Sequence, residues 1–266
     1  RATSRGTDEV VAKLDADDLL LGGPAVRVRG DLFGGLLVGS SGAVTSYGSA
    51  PGMVIGSASR GVRLGVLGTG ADAYGLMNKG VIQAAGIYDG ITATALQLGG
   101  QGGAVTVDGG IWNAGSILAT GVKASATAVR VGSGTQSPSL TNVGIVRATT
   151  TATDVADATA LRLDAGASLS YLANGGVIDA VVNGSKASAT AILDASGSLR
   201  AIETTNSITA TVTATDSTIA VTGRAIALDL RANTAGVLLR QYANTDTAIT
   251  PTITGDVLFG SGAARL

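Results

Sequence analysis

Among its 266 residues the chain has no cysteine and no histidine. The first absence excludes disulfides, thiolate metal sites and cysteine nucleophiles. The second removes the commonest general base and the usual ligand of zinc, copper and iron. Glutamate occurs only at Glu9 and Glu203, and no paired carboxylates recur at a matching repeat position, whereas glycoside cleavage ordinarily needs two. Aromatic residues make up 3% and charged residues 14%, against roughly 25% charged in an ordinary compact domain. The core must then be built from Val, Ile, Leu and Ala in thin layers. No apolar run approaches the ~18 residues of a membrane helix, so no transmembrane helix is expected. A formal charge of -1 with dispersed Lys and Arg argues against nucleic acid as a partner. Neither a metal nor a cofactor is expected.

What the chain does have is repetition. A small residue followed by an apolar-x-apolar triplet recurs seven times at spacings of 31 to 36 residues: Ala25-Val26-Arg27-Val28, Gly61-Val62-Arg63-Leu64, Ala95-Leu96-Gln97-Leu98, Ala128-Val129-Arg130-Val131, Ala160-Leu161-Arg162-Leu163, Ala191-Ile192-Leu193-Asp194 and Ala225-Ile226-Ala227-Leu228. A second motif keeps step with it, from Asn78-Lys79-Gly80-Val81-Ile82 through the copies starting at Asn113, Asn142 and Asn174, with a degraded fifth copy at Asn206. A fixed period of this length marks a solenoid, propeller or array. Period-2 alternation, as in Ala160-Leu161-Arg162-Leu163 and Ser168-Leu169-Ser170-Tyr171-Leu172, marks half-buried strands. Asp164-Ala165-Gly166 and Ala173-Asn174-Gly175 separate such runs with turn chemistry. Three short strands and one longer loop per repeat describe an all-β parallel β-helix of triangular section with about seven rungs of 31–36 residues. Helical repeats need helical spacing and propeller blades need more residues and aromatics. Residues 1–24 read as a lead-in or capping segment and 25–266 as the repeat domain. The missing initial Met and the end at Leu266 in mid-pattern lead to the expectation of a processed or excised segment that continues past its C-terminus. Thr7 to Leu14 reads equally as helix or strand.

In repeat style, the Asn-x-Gly-x-Ile-x-Ala rungs, the Thr-Ala-Leu-x-Leu rungs and the stretch Ile253 to Gly262 resemble the passenger region of Gram-negative autotransporters. The resemblance covers roughly Val26 to Leu266. It implies a right-handed β-helix exposed at the bacterial surface or secreted, carried there by a C-terminal barrel. The corresponding expectation is a non-enzymatic extracellular solenoid acting as stalk, adhesin or surface-layer element. The alternatives are a polysaccharide-active β-helical enzyme and a self-assembling filament subunit.

Candidate sites are few. Asn78, Asn113, Asn142 and Asn174, with Asn206 as a further candidate, stand in phase to form a side-chain amide ladder; tolerance of the turn conformation is the other reading. Arg63, Arg130 and Arg162, with Arg27 and Gln97, share one repeat position and are expected as an outward stripe that engages acidic surface polysaccharide or a host or neighbouring cell surface. Sugar binding by aromatic platforms has a thin supply in Trp112, Tyr74, Tyr88 and Tyr171. The tripeptide Arg29-Gly30-Asp31 reads as a rung corner, and Asp15, Asp17 and Asp18 as a solvated acidic cluster. Thr211 to Thr215 is too confined for an ice-binding array. The inserts Thr149 to Asp157 and Thr211 to Thr222 are the loops freest of packing, where a binding function would reside.

Overall fold

The computed structural model describes residues 22–151, 156–243 and 249–266. Three parallel sheets run the length of the molecule, each receiving about one strand per turn of chain. The first stacks Val26–Val28, Met53–Ile55, Ala93–Leu98, Ala126–Val131, Ala158–Leu163, Ala189–Asp194, Ala225–Leu230 and Asp256–Phe259. The second stacks Leu36–Val38, Leu76–Asn78, Ile111–Asn113, Thr135–Asn142, Ser168–Asn174, Ala201–Thr204, Val237–Gln241 and Ala264–Arg265, with Val62–Leu64 and Val105–Val107 beside this path. The third stacks Ala43–Ser46, Val81–Asp89, Ser116–Val122, Ile145–Thr151, Val177–Asn183, Ser207–Thr213 and Thr252–Thr254. The molecule is a parallel β-solenoid. A single 3-10 turn at Gly70–Asp72 is the only helical geometry among the described residues. No helix there is long and apolar enough to cross a membrane.

Sequence alternation dictates which side chains enter the interior. In the third sheet Val44, Ile82, Ile117, Val146, Ile178, Ile208 and Ile253 are register partners in succession. They form a column of β-branched side chains, the type that packs best on a pleated surface. Two residues on, Ala84, Ala119, Ala148, Ala180 and Ala210 form a parallel column of small buried residues. In the first sheet Leu96, Val129, Leu161, Ile192 and Leu228 do the same. Val131, Leu163, Ile117 and Ile178 are buried, on the inward face that period-2 alternation assigns to them. The apolar interior is therefore a bundle of axial columns, each residue touching its equivalents one turn away.

Three features of the repeat reading need correction. Val62-Arg63-Leu64 does not belong to the first sheet; it pairs with Val105-Thr106-Val107, and its expected place is held by Met53–Ile55. Even spacing was the misleading assumption. The steps between first-sheet partners here are 27 residues from Val26 to Met53 and 43 from Met53 to Leu96. The seven equal rungs also reduce to about five regular turns, those whose first-sheet strand has the full six residues, starting at Ala93, Ala126, Ala158, Ala189 and Ala225. The strands Val26–Val28 and Met53–Ile55 have three. Pro24 and Pro51 stand two residues before them, and a proline has no N–H to give to the ladder. Register also pairs Ala225 with Ala189 rather than with Ala191, a two-residue slip that leaves the same face inward.

Thr7 to Leu14 and the cluster Asp15, Asp17 and Asp18 lie outside the described residues. Thr149–Thr151 and Thr211–Thr213, expected as loop, extend strands of the third sheet.

Candidate functional site

The Asn corner is the most regular polar feature. Asn78 Nδ2 donates to Asn113 Oδ1 at 2.7 Å, Asn113 Nδ2 to Asn142 Oδ1 at 2.7 Å, and Asn142 Nδ2 to Asn174 Oδ1 at 2.8 Å. All four side chains are buried. Asn174 Nδ2 then donates to Thr204 Oγ1 at 3.0 Å, so Thr204 rather than Asn206 ends the chain of bonds. Its other end falls at Asn78 because the register partner before it is Val38. The main chain stacks closely beside the amides. Asn113 C=O accepts from the N–H groups of Val143 and Gly144, and Asn142 C=O from those of Gly175 and Gly176. A Cβ on Gly115, Gly144 or Gly176 would collide with the carbonyl oxygen of the corresponding glycine one turn earlier, Gly80, Gly115 or Gly144. Glycine is required there for close approach of backbone to backbone.

The expected arginine stripe is rearranged. On the outer face of the first sheet the register column reads Arg27, Val54, Gln97, Arg130, Arg162 and Leu193. Arg63 is absent from it and lies in the second sheet, where its Nε meets Asp108 Oδ2 at 2.7 Å. Arg130 and Arg162 are neighbours, but both Nε groups donate to one carboxylate, Asp164, at 2.7 Å each. Burial raises the Asp164 pKa, yet the hydrogen bonds from Arg162 and Arg130 outweigh it and hold the group below its usual value. Two cations thus share one anion, leaving a single net positive charge on that stretch.

Most other charges are paired in the same way, commonly across one turn. Arg147 and Asp179 are direct register partners with Nε 2.9 Å from Oδ2. Lys123 meets Asp89 at 2.7 Å, and Arg224 meets Asp256 at 2.6 Å. Asp31 of the Arg29-Gly30-Asp31 tripeptide accepts from Arg60 at 3.0 Å and from the Arg63 backbone N–H at 2.9 Å, which makes it a rung-corner residue. Asp194 closes its own turn by accepting from Ser196 and from the Leu199 N–H. Glu203 accepts from the Tyr171 hydroxyl at 2.9 Å and from Arg240 at 3.2 Å, with the Tyr242 hydroxyl at 3.4 Å. Burial and that bond to Glu203 push Tyr171 up to about 12. The Glu203 cluster escaped the sequence reading, although a search for polar partners one turn apart would have found it. Among the described residues no three His, Cys, Asp or Glu side chains converge to hold a metal.

Two surface features remain. Trp112 and Tyr74, treated as a thin aromatic supply, come together with ring centroids 6.3 Å apart, and the Lys79 ammonium lies 5.6 Å from the Trp112 ring centroid. A concavity of about 500 Å³ opens on the first sheet, lined by Arg27, Arg29, Ser57, Ser59, Gln97 and Gln101 above a floor of Pro51 and Val54. No protein-family profile, curated protein or solved structure matches the chain.

Proposed function

We propose that the chain is a non-enzymatic extracellular β-solenoid, an autotransporter-like passenger acting as a stalk or adhesin element at a bacterial surface. The observation that carries this reading is where its charged side chains go. Of the described carboxylates, every one except Asp72 accepts a hydrogen bond or ion pair from Arg, Lys, a hydroxyl or a backbone N–H, and most of the ion pairs join one turn to another. A general acid or base needs a proton that is free to move at the operating pH; carboxylates tied into cross-turn pairs act instead as rivets. With an axial amide ladder and aliphatic columns beneath them, they favour a rod that keeps its shape outside the cell.

The test has two arms. The chain is placed behind an export signal and ahead of an autotransporter barrel in a Gram-negative host, and surface exposure is read by protease shaving of intact cells. Exposure of the folded solenoid supports the passenger reading; retention inside while the barrel inserts normally overturns it. The purified chain is also incubated with polysaccharide and peptide substrates. Turnover that a single Asp or Glu substitution abolishes would overturn the non-enzymatic part.

A further inference from the structure

The concavity on the first sheet departs from the charge pairing found elsewhere. Arg27, the middle residue of the strand Val26–Val28, and Arg29, one residue past its end, are both exposed and both line the hollow. Neither has a hydrogen bond or ion pair to a described residue. Of the four arginines expected as a binding stripe, Arg63, Arg130 and Arg162 are ion-paired, and Arg27 is the one that is not paired to a described residue.

The hollow has a simple cause in the register. Arg27, Val54 and Gln97 are successive partners on three turns, and the short Val54 lies buried between two long polar side chains. Its floor is apolar, its walls carry two guanidinium groups, two carboxamides and two hydroxyls. One of those carboxamides is short of partners. Gln101 packs its side chain over Gly56, where a Cβ would collide with Oε1, and this oxygen has no hydrogen-bond partner among the described residues. A buried acceptor left unpaired is costly, so the side chain is poised to turn toward a donor in the hollow.

The geometry points to a binding site for an acidic saccharide, a short run of hexuronic acid units. Guanidinium forks match the planar carboxylate. The carboxamides of Gln97 and Gln101 and the hydroxyls of Ser57 and Ser59 both donate and accept, which suits sugar hydroxyls. Pro51, half-buried beside Val54, offers an apolar surface to the C–H face of a ring. No aromatic side chain lines the hollow, so it lacks the stacking platform that a nucleobase would use. The inference goes beyond the surface-rod reading and does not depend on export, because it concerns the purified chain.

The probe is a hexuronic acid oligomer, titrated calorimetrically at low salt against the folded chain, with its fully methyl-esterified form as the uncharged counterpart. The free acid should bind, and esterification should weaken binding at least about tenfold, equivalent to ~1.4 kcal/mol. The double variant Arg27→Gln/Arg29→Gln should lose at least as much while melting at the same temperature, both side chains being exposed. Arg130→Gln/Arg162→Gln should stay within about twofold of the parent, since those cations are already engaged. A second variant, Gln97→Ala, should weaken binding without touching charge. Equal binding of the ester, retention of affinity in Arg27→Gln/Arg29→Gln, or inorganic phosphate binding as tightly as the oligomer would each overturn the assignment.

Discussion

At the scale of single residues, burial converts modest groups into structural ones. Asn142 directs the two N–H groups of its Nδ2 at three acceptors, Asn174 Oδ1 and the carbonyls of Gly144 and Val177, and its Oδ1 accepts from Asn113. Asn142→Ala strands these partners in a dry interior, and we expect a loss of about 2–4 kcal/mol in chemical denaturation, taking ~1–3 kcal/mol per orphaned group. Asn206→Ala, outside the ladder, should cost distinctly less. Asp164 supplies a pH signature. Its folded pKa lies below the unfolded value, so its contribution is full above about pH 4 and is lost as pH falls through the folded pKa. The difference in melting temperature between the parent and Asp164→Asn should therefore be largest near neutrality and close on acidification. Tyr171 is checked spectroscopically: absorbance titration should show one tyrosine ionising near about 12, and Glu203→Gln should draw it back toward the ordinary value near 10. The Asn ladder was legible because its Asn residues stand in phase. That Thr204 would take the last place was not, since Thr and Asn offer the same acceptor role in different letters.

At the scale of the turn and strand, the glycine corner sets how closely successive turns approach. Gly144→Ala places a methyl against the Gly115 carbonyl, and backbone on both sides leaves nothing flexible to yield. We expect a destabilisation of several kcal/mol, of the order found for overpacked or strained sites, or failure to fold. Gly34→Ala, where a Cβ meets open space, should melt like the parent. The strand pattern itself was readable because one-sided burial imposes alternation on a parallel sheet that would otherwise be apolar on both faces. Sheet membership was not readable at Arg63. Val62-Arg63-Leu64 has the same in-out-in pattern as its supposed equivalents, and only the uneven loops around Met53–Ile55 displace it to another sheet. Alternation tells which side of a strand is buried; it does not tell which of three sheets the strand has joined.

At the scale of the whole molecule, each turn contacts its neighbours and little else, so stability is a sum over turns and interfaces rather than a single cooperative quantity. Hydrogen exchange should then be slowest in the turns between Ala126 and Ile192, whose strands are full length and whose interior residues are almost wholly buried. It should be faster in Leu36–Val38 and Thr252–Thr254, three-residue strands in which Val38 alone is buried; uniform protection would contradict the additive picture. The concavity at Arg27 and Arg29 was invisible to the sequence because it depends on which residue lies between Arg27 and Gln97 across three turns. One consequence of the amide ladder reaches past this chain's present length. Every Asn within the ladder donates toward the next turn, and each after Asn78 accepts from the preceding one, so the array has a direction, as nested cups have. A duplicated block of residues 142–173 would offer an acceptor to the turn before it and a donor to the turn after it, and would extend the rod by about 4.8 Å without asking for any new chemistry. A block inserted out of phase would set an Asn opposite a residue with no matching amide and leave its buried amide unpaired. Growth by tandem duplication is thereby permitted in whole turns and resisted in fractions of one.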